Sequence, residues 1–170
     1  MISKLKIMIA MCGAAAALIT TMVLESNPLY IWNGSASVPI GLYRLRPLEK
    51  LFVTELVAVL PPEPLATFLD LNGYLPSGVP MLKRVLAVPG QTVCRTGLTI
   101  SVDGIAVGEA RDRDRRGRPL PKWDGCRVVG DAELFLMNWQ SDDSLDGRYF
   151  RFLPASAVIG RAFPMWTWEE

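Results

Sequence analysis

The chain has 170 residues, of which 50% are hydrophobic and 21% are charged, and its formal net charge at pH 7 is +1. This length is typical of one domain, the apolar content argues against disorder, and the near-neutral charge gives no electrostatic reason to expect a nucleic acid partner. The sequence contains no histidine. Ser-His-Asp triads, Cys-His dyads and zinc sites built on imidazole are therefore excluded, and an acyl-transfer enzyme made from this chain needs a lysine or a carboxylate as its base.

The first predicted element is an apolar helix near the amino terminus. Residues 7–24 contain no charge, and as a helix they would extend for about 27 Å, close to the thickness of the hydrocarbon core of a bilayer. Lys4 and Lys6 precede this run and Glu25 follows it, which favours a transmembrane anchor with its amino terminus in the cytoplasm. A cleaved signal peptide is the second interpretation, because residues 14–17 are small and could form a cleavage site. A buried helix is the third interpretation.

The first two interpretations both place the rest of the chain on the non-cytoplasmic side of the membrane. We therefore divide the sequence into an anchor or signal segment, residues 1–25, and an exported domain, residues 26–170. The exported domain contains Cys94 and Cys126, whereas Cys12 lies within the apolar run. An oxidising compartment would let Cys94 and Cys126 form a disulfide that stabilises the fold by roughly 3–4 kcal/mol, and two unpaired thiols are the alternative.

The exported domain has the pattern of a β protein. Short β-rich runs that end at Pro or Gly follow one another, and no long stretch has helical apolar spacing. We predict strands at residues 52–60, 81–88, 98–107, 133–139 and 157–166. The Asp103-Gly104 pair within the third run is a strong signal for a two-residue hairpin. The predicted fold is mostly β, a compact barrel-like or folded β-sheet domain.

Two segments depart from the strand pattern. Residues 65–80 are predicted to contain one short helix followed by a loop rich in Gly, Pro and Ser. Residues 110–121 include a charge cluster of both signs, Arg111-Asp-Arg-Asp-Arg-Arg-Gly-Arg118. This cluster is open to two interpretations, a solvated loop inserted between strands or a site for an anionic partner.

The first candidate for chemistry is a serine soon after the apolar run. Ser35 and Ser37 are followed by Pro39, Gly41 and Tyr43. A rigid proline and a permissive glycine beside the serine favour a fixed turn that exposes one hydroxyl. An ordinary serine-rich turn would give the same local pattern.

The second candidate is a lysine within the predicted strand 81–88. Strand alternation places Met81, Lys83, Val85 and Ala87 on one face and Arg84 on the other, so Lys83 is the only charge on an apolar face. Desolvation disfavours the ammonium form, and lowering a lysine pKa from ~10.4 toward the ~7–8 of a general base corresponds to about 4 kcal/mol. The alternative is a lysine that reaches solvent from a sheet edge.

The third candidate is a polar turn after the predicted strand 133–139. Asp146 and Arg148 have the spacing for a charge-assisted pair that fixes the turn, and Ser144 can hydrogen-bond an amine. A solvated turn rich in aspartate is the alternative.

Together these three boxes resemble the type I signal peptidase family of Ser-Lys proteases, and most of all its TraF branch, the peptidases of conjugative plasmid transfer. The matching residues are Ser37, Pro39, Gly41 and Tyr43 in the serine box, Lys83, Arg84, Val85, Pro89 and Gly90 in the lysine box, and Ser144, Asp146, Gly147 and Arg148 in the last box. The order of the boxes and the preceding apolar segment match as well, so the resemblance covers nearly the whole chain. General leader peptidases carry Gly-Asp-Asn where this chain has Asn-Trp-Gln at residues 138–140, which also favours the TraF branch.

The resemblance implies a catalytic mechanism that uses no metal and no cofactor. Ser37 would be the nucleophile and Lys83 the general base. The backbone N–H of Ser37 and the hydroxyl of Ser35 would stabilise the oxyanion, and Ser144 would orient the lysine amine. Asp146, held by Arg148, would stabilise the last turn or take part in catalysis.

The resemblance also implies a location and partners. The catalytic domain would lie in the periplasm at the bacterial inner membrane, next to the conjugative transfer apparatus, and its substrate would be a pilin-like precursor. An acyl-enzyme formed from that precursor can pass to water or to the precursor's own amino terminus, which closes the pilin head to tail. Two other functions stay open, a general type I signal peptidase and a non-enzymatic assembly scaffold tethered to the membrane.

Overall fold

The computed structural model describes residues 2–23 and 28–168. Helix α1 spans Ile2–Val23 and so coincides with most of the predicted anchor. Within these two stretches, no helix combines the length and the apolar content that crossing a membrane requires. The predicted N-terminal transmembrane helix is therefore not found, and the predicted boundary at residues 25 and 26 lies outside the described residues.

Strands are the main regular elements after α1. In chain order the elements are β1 (Tyr30–Asn33), β2 (Ile40–Arg46), β3 (Leu56–Val59), α2 (Leu65–Leu71), β4 (Met81–Ala87), β5 (Thr92–Thr96), β6 (Thr99–Val102), β7 (Ile105–Glu109), β8 (Gly125–Val128), β9 (Glu133–Leu136), α3 (Gly147–Phe150), β10 (Phe152–Pro154) and β11 (Val158–Trp168). The mostly-β prediction is thus confirmed, as is the short helix expected within residues 65–80.

The strands form two antiparallel sheets. The larger has seven strands in the order β1-β2-β11-β3-β4-β9-β10, and the smaller has four in the order β7-β6-β5-β8. In the described part of the chain, β1 and β10 are the two edges of the larger sheet and do not pair with each other. Of the two forms expected from the sequence, barrel-like or folded sheet, the barrel-like one is therefore wrong, because a barrel requires the first and last strands to pair.

The hairpin signal at Asp103-Gly104 is confirmed. Strands β6 and β7 pair antiparallel, with Val102 opposite Ile105, and the two residues between them have φ angles of 50° and 81°. Positive φ at both central positions is what a type I′ turn requires. The strand predicted at residues 52–60 is shorter than expected, because Thr54 has a φ of 79° and stands in a turn before β3 begins.

Strand β4 lies in the interior of the larger sheet, between β3 and β9. Lys83 stands opposite Val57 of β3, and Val85 stands opposite Leu136 of β9. All residues of β4 except Met81 and Arg84 are buried. Because β4 is paired on both sides, the alternative of a lysine that snorkels from a sheet edge is wrong.

The two sheets share a hydrophobic core. One cluster joins Val93 and Ile100 of the smaller sheet to Ala87 and Phe135 of the larger one. The side chain of Arg95 on β5 adds a polar connection, since its Nη1 donates to the backbone oxygen of Arg148 at 2.6 Å. The smaller sheet therefore contacts the turn that carries the last predicted box, residues 144–148, and helps to hold it in place.

Candidate active site

The loop that carries the candidate nucleophile is folded around one side chain, Asn33. Its Nδ2 donates to the carbonyl oxygens of Ser35 at 2.8 Å, Val38 at 3.1 Å and Pro39 at 3.1 Å. Its Oδ1 accepts from the backbone N–H of Ser35 at 3.2 Å and from the hydroxyl of Ser35 at 3.1 Å. Asn33 is buried at the end of β1, so these bonds fix the course of residues 34–39.

The rest of the serine box holds this loop against the larger sheet. The hydroxyl of Tyr43 donates to the carbonyl oxygen of Pro39 at 2.5 Å. Burial raises the pKa of Tyr43, while the charge of Arg84 opposes the rise, so the phenol remains a donor at moderately alkaline pH. Gly41 has a φ of 142°, and a Cβ there would lie 2.1 Å from the backbone oxygen of Trp166. Pro39, Gly41 and Tyr43 of the serine box therefore each have a structural role in holding this loop.

Ser37 and Ser35 present their hydroxyls at the same place. Their Oγ atoms lie 3.2 Å apart, and Ser37 is half-buried whereas Ser35 is exposed. This distance allows one hydroxyl to hydrogen-bond the other. The hydroxyl of Ser35 is thus close to any group that binds at the hydroxyl of Ser37.

Lys83 is buried, with 5% of its surface exposed. Its Nζ donates to the Oγ of Ser144 at 2.7 Å. Burial lowers the pKa of Lys83 to about 8, with the negative charge of Asp146 opposing the shift and the positive charge of Arg148 adding to it. An amine with this pKa is partly uncharged near neutral pH and can accept a proton.

The turn that provides Ser144 is held by a buried ion pair. The Nε of Arg148 donates to Oδ1 of Asp146 at 2.9 Å and its Nη2 donates to Oδ2 at 2.9 Å. The same guanidinium donates to the carbonyl oxygens of Ser141 at 2.6 Å and Ser144 at 3.1 Å. Both partners of the ion pair are almost fully buried, so the solvated-turn alternative is wrong for these two residues.

Asn138 has a structural role that the sequence did not reveal. Asn138 is 1% exposed, its Oδ1 accepts from the backbone N–H of Arg84 at 2.9 Å, and its Nδ2 donates to the backbone oxygen of Leu82 at 3.1 Å. It therefore binds the peptide groups on both sides of Lys83. Its own backbone N–H donates to Asp146 at 3.1 Å, which connects the lysine strand to the ion pair. The available signal was a polar amide directly after the buried run of β9.

Four of the predicted site residues line one cavity of about 400 Å³. They are Ser35, Ser37, Lys83 and Ser144. Apolar side chains from α2, the following loop and the start of β4 form another wall, and these are Leu69, Leu75, Val79, Met81 and Leu82. Asp146 and Arg148 are not among the lining residues of this cavity and lie behind Ser144. The cavity thus combines a hydroxyl, a buried amine and an apolar wall that suits an extended peptide.

The disulfide expected between Cys94 and Cys126 is present. These residues stand opposite each other on the paired strands β5 and β8 of the smaller sheet. Neither of them lines the cavity that contains Lys83. The bond therefore belongs to the supporting sheet.

Comparison with known proteins identifies the family. The family described as signal peptidase, peptidase S26, matches residues 1–168. The chain belongs to the S26 peptidases. This S26 peptidase is 35% identical over 149 residues to the plasmid transfer protein TraF of Escherichia coli, a match that covers 80% of this chain and 82% of the relative.

A second relative of this S26 peptidase is the probable conjugal transfer protein TraF of Sinorhizobium fredii, 34% identical over 149 residues, with 82% of this chain and 78% of the relative covered. The crystal structure of a signal peptidase I from Enterococcus faecalis V583 matches with a TM-score of 0.42 and 19% identity, over 68% of this chain and 98% of that chain. The resemblance to TraF-type members of the family is thus confirmed by sequence comparison.

Proposed function

We propose that this peptidase is a membrane-anchored serine endopeptidase with a Ser37–Lys83 dyad, and that it processes the precursor of a conjugative pilin. The resemblance to the TraF branch is the reason for placing it at the bacterial inner membrane with the catalytic domain in the periplasm. The observation that carries the dyad is the buried amine of Lys83, which lines the same cavity as the hydroxyl of Ser37. The names of the TraF relatives support the assignment to conjugation.

The first half of the reaction forms an ester. Neutral Lys83 takes the proton of the Ser37 hydroxyl as its oxygen attacks the scissile carbonyl. The backbone N–H of Ser37 and the hydroxyl of Ser35 stabilise the negative oxygen that develops. The protonated Lys83 then gives its proton to the leaving amine, and the acyl chain stays on Ser37. Ser144 keeps the amine pointed into the cavity through the hydrogen bond to Nζ.

The second half releases the product. If water attacks the ester, Lys83 accepts its proton, the bond to the Ser37 oxygen breaks, Lys83 returns the proton to that oxygen, and the product is a linear chain with a new carboxyl terminus. If the amino terminus of the same precursor attacks, Lys83 moves the amine's proton to the departing Ser37 oxygen in the same way, and the product is a ring. We include ring closure in the proposal because of the resemblance to the TraF branch.

The test is co-expression of a conjugative pilin precursor with the peptidase and mass analysis of the product. We expect Ser37→Ala to reduce the rate of processing by at least about a thousandfold, because removal of a nucleophile eliminates the covalent route. Ser77→Ala, at an exposed position in the loop after α2, is the matched control and should process normally. A circular product weighs one water less than the linear one. Undiminished processing by a folded Ser37→Ala variant would refute the dyad.

A further inference from the structure

A second cavity, of about 220 Å³, adjoins the active-site cavity. Five arginines line it, namely Arg111, Arg113, Arg115, Arg116 and Arg118. Tyr74, Asp143 and Leu145 line both cavities, so the two are neighbours with a common wall. Asp143 and Leu145 are the residues on either side of Ser144, which accepts the hydrogen bond from Lys83. A peptide bound across Ser144 therefore reaches the arginine cavity within a few residues of the scissile bond.

The charges of this arginine cavity are not balanced. Arg111 pairs with Asp142 at 3.3 Å and with Asp143 at 2.5 Å, and Arg115 donates to Asp143 at 2.7 Å. Arg118 pairs with the third lining aspartate, Asp114, at 2.7 Å.

Two arginines of this cavity, Arg113 and Arg116, take no part in these ion pairs. Among the described residues, no carboxylate lies within ion-pair distance of Arg113 or Arg116. Arg113 donates to the backbone oxygen of Gly117 at 2.7 Å, and both arginines are exposed. The cavity therefore keeps an excess of positive charge that is available to an anionic group.

The segment that carries these arginines is ordered by contacts with the wall of the active site. Asp114 accepts from the hydroxyl of Tyr74 at 2.7 Å, and from the backbone N–H groups of Arg116 at 2.9 Å and Arg118 at 2.8 Å. Arg118 also donates to the backbone oxygen of Asn72 at 2.6 Å. These bonds hold the charged loop next to the cleft, so part of the cost of ordering a binding site is met before any ligand arrives.

We propose that the arginine cavity binds a carboxylate of the peptide substrate close to the scissile bond. This inference rests on the proposed peptidase function and adds a specificity to it. A guanidinium recognises a carboxylate through paired hydrogen bonds and keeps its charge at every relevant pH. The carboxylate can be the side chain of an Asp or Glu residue, or the carboxyl terminus of a short segment beyond the cleavage point.

The test uses synthetic peptides that span the cleavage site found in the processed precursor, with one Glu placed in turn at each position around the scissile bond. A matched set carries Gln in place of Glu, and a third set compares a free carboxyl terminus with an amide. Cleavage by the full-length peptidase gives kcat/KM, and binding to the Ser37→Ala variant gives Kd without turnover. We expect the acidic peptide to be favoured by about five- to tenfold at one or two positions, the size of one or two partly exposed ion pairs. High salt should reduce this preference.

The variant that removes the unpaired charge is Arg113→Gln combined with Arg116→Gln. We expect it to cleave and bind the Glu and Gln peptides equally well. Arg127→Gln is the matched control, because Arg127 is an exposed arginine on β8 that does not line the arginine cavity. This control should keep the preference. A preference for Glu over Gln identifies a side-chain carboxylate as the bound anion. A preference for a free over an amidated carboxyl terminus identifies the terminal carboxylate.

Three results would overturn the inference. These are equal kcat/KM and Kd for Glu and Gln peptides and for free and amidated termini, a preference that survives in the double variant, and weaker binding of phosphatidylglycerol vesicles by the double variant with peptide selectivity unchanged. Each of them is compatible with normal cleavage by the wild-type protein. Failure of the peptidase function itself would appear separately, as absence of cleavage of any peptide.

Discussion

Lys83 owes its chemistry to its surroundings. The side chain starts on an interior strand, and its amine ends at Ser144 in a setting that disfavours charge. A lysine on the surface would be protonated at neutral pH and could not act as a base. Burial on β4, between β3 and β9, lowers the pKa of the Lys83 amine and so allows the amine to act as a base. The negative charge of Asp146, behind the turn, limits how far this pKa falls.

The pH dependence of activity follows from the pKa of Lys83. On the proposed mechanism, only the uncharged amine accepts the proton of Ser37, so kcat/KM should rise about tenfold per pH unit below the pKa and level off above it. With a pKa of about 8, the half-maximal value is expected near pH 8. The measurement is kcat/KM for one peptide between pH 5.5 and 9.5, with circular dichroism to verify that the protein stays folded. A flat profile across this range would contradict a lysine base.

At the residue scale, the sequence pointed to the proposed dyad, Ser37 and Lys83, but not to the side chains that hold these two residues in place. Strand alternation was sufficient to put Lys83 on a buried face. Asn138 was not recognised, because its importance comes from hydrogen bonds to Leu82 and Arg84, more than fifty positions away. Asn33 acts over a few residues, yet its bonds depend on a loop conformation that residue spacing does not specify.

Among the elements, the junction of β2 with β11 determines where the serine loop lies. The register between these strands shifts between Pro164 and Trp166, so that one extra residue on β11 is accommodated opposite Leu42 and Tyr43. A proline has no N–H to give to a ladder, and bulges are among the few positions in a sheet where it is tolerated. The close approach of the two backbones leaves no room for a side chain at Gly41.

Gly41→Ala should therefore disturb the serine loop. The added Cβ would meet the backbone oxygen of Trp166 at 2.1 Å, and the φ of 142° is unfavourable for alanine. We expect the free energy of unfolding to fall by about 1–3 kcal/mol or more, with a loss of peptidase activity. Chemical denaturation and a peptide assay provide the two measurements.

Gly34→Ala is the matched control for this substitution. Gly34 belongs to the same loop, and nothing lies within 4 Å of a Cβ built there. We expect this variant to keep its stability; because Gly34 lines the active-site cavity, the comparison of the two variants rests on denaturation. If Gly41→Ala were equally harmless, the close packing of β2 on β11 described above would be wrong.

At the scale of elements, the sequence correctly predicted the structures that depend on neighbouring residues. The Asp103-Gly104 hairpin and helix α2 depend on neighbouring residues, and both are present. The strand predicted at residues 52–60 begins only at Leu56, because a turn with positive φ at Thr54 interrupts the β-rich run. Hydrophobic pattern alone does not distinguish such a turn from the start of a strand.

For the whole molecule, the sequence pattern could not decide whether the sheet is open or closed into a barrel. Strand β11 pairs with both β2 and β3, which are separated from it by about a hundred residues. Strand order of this kind is decided by long-range packing, and alternation of apolar residues is equally compatible with a barrel or an open sheet. The disulfide of the smaller sheet and the shared core were similarly left open until the strands were in place.

The stability of the whole molecule should depend on the charge state of Lys83. The folded state lowers this pKa from 10.5 to about 8, so the unfolded state binds the proton more tightly. The cost of the buried charge is then fully present below about pH 8, decreases as the pH rises, and is gone above about pH 10.5. From the size of the pKa shift, this cost is about 3 kcal/mol.

Lys83→Met tests this linkage. The stability of the variant minus that of the wild type should fall by about 3 kcal/mol between pH 7 and pH 10.5, because only the wild type gains from loss of the proton. Other titrating groups contribute to both proteins and cancel in the difference. Urea denaturation at a series of pH values gives the measurement. A difference that does not change with pH would mean that Lys83 has the same pKa in both states.

The burial of Lys83 has a consequence for the life of the protein before it is folded. In the nascent chain the amine at position 83 is hydrated and charged, and the groups that enclose it lie on segments that have not yet met. On the proposed mechanism, an unfolded chain therefore has no base for the attack by Ser37, and peptidase activity appears only when folding has buried the amine.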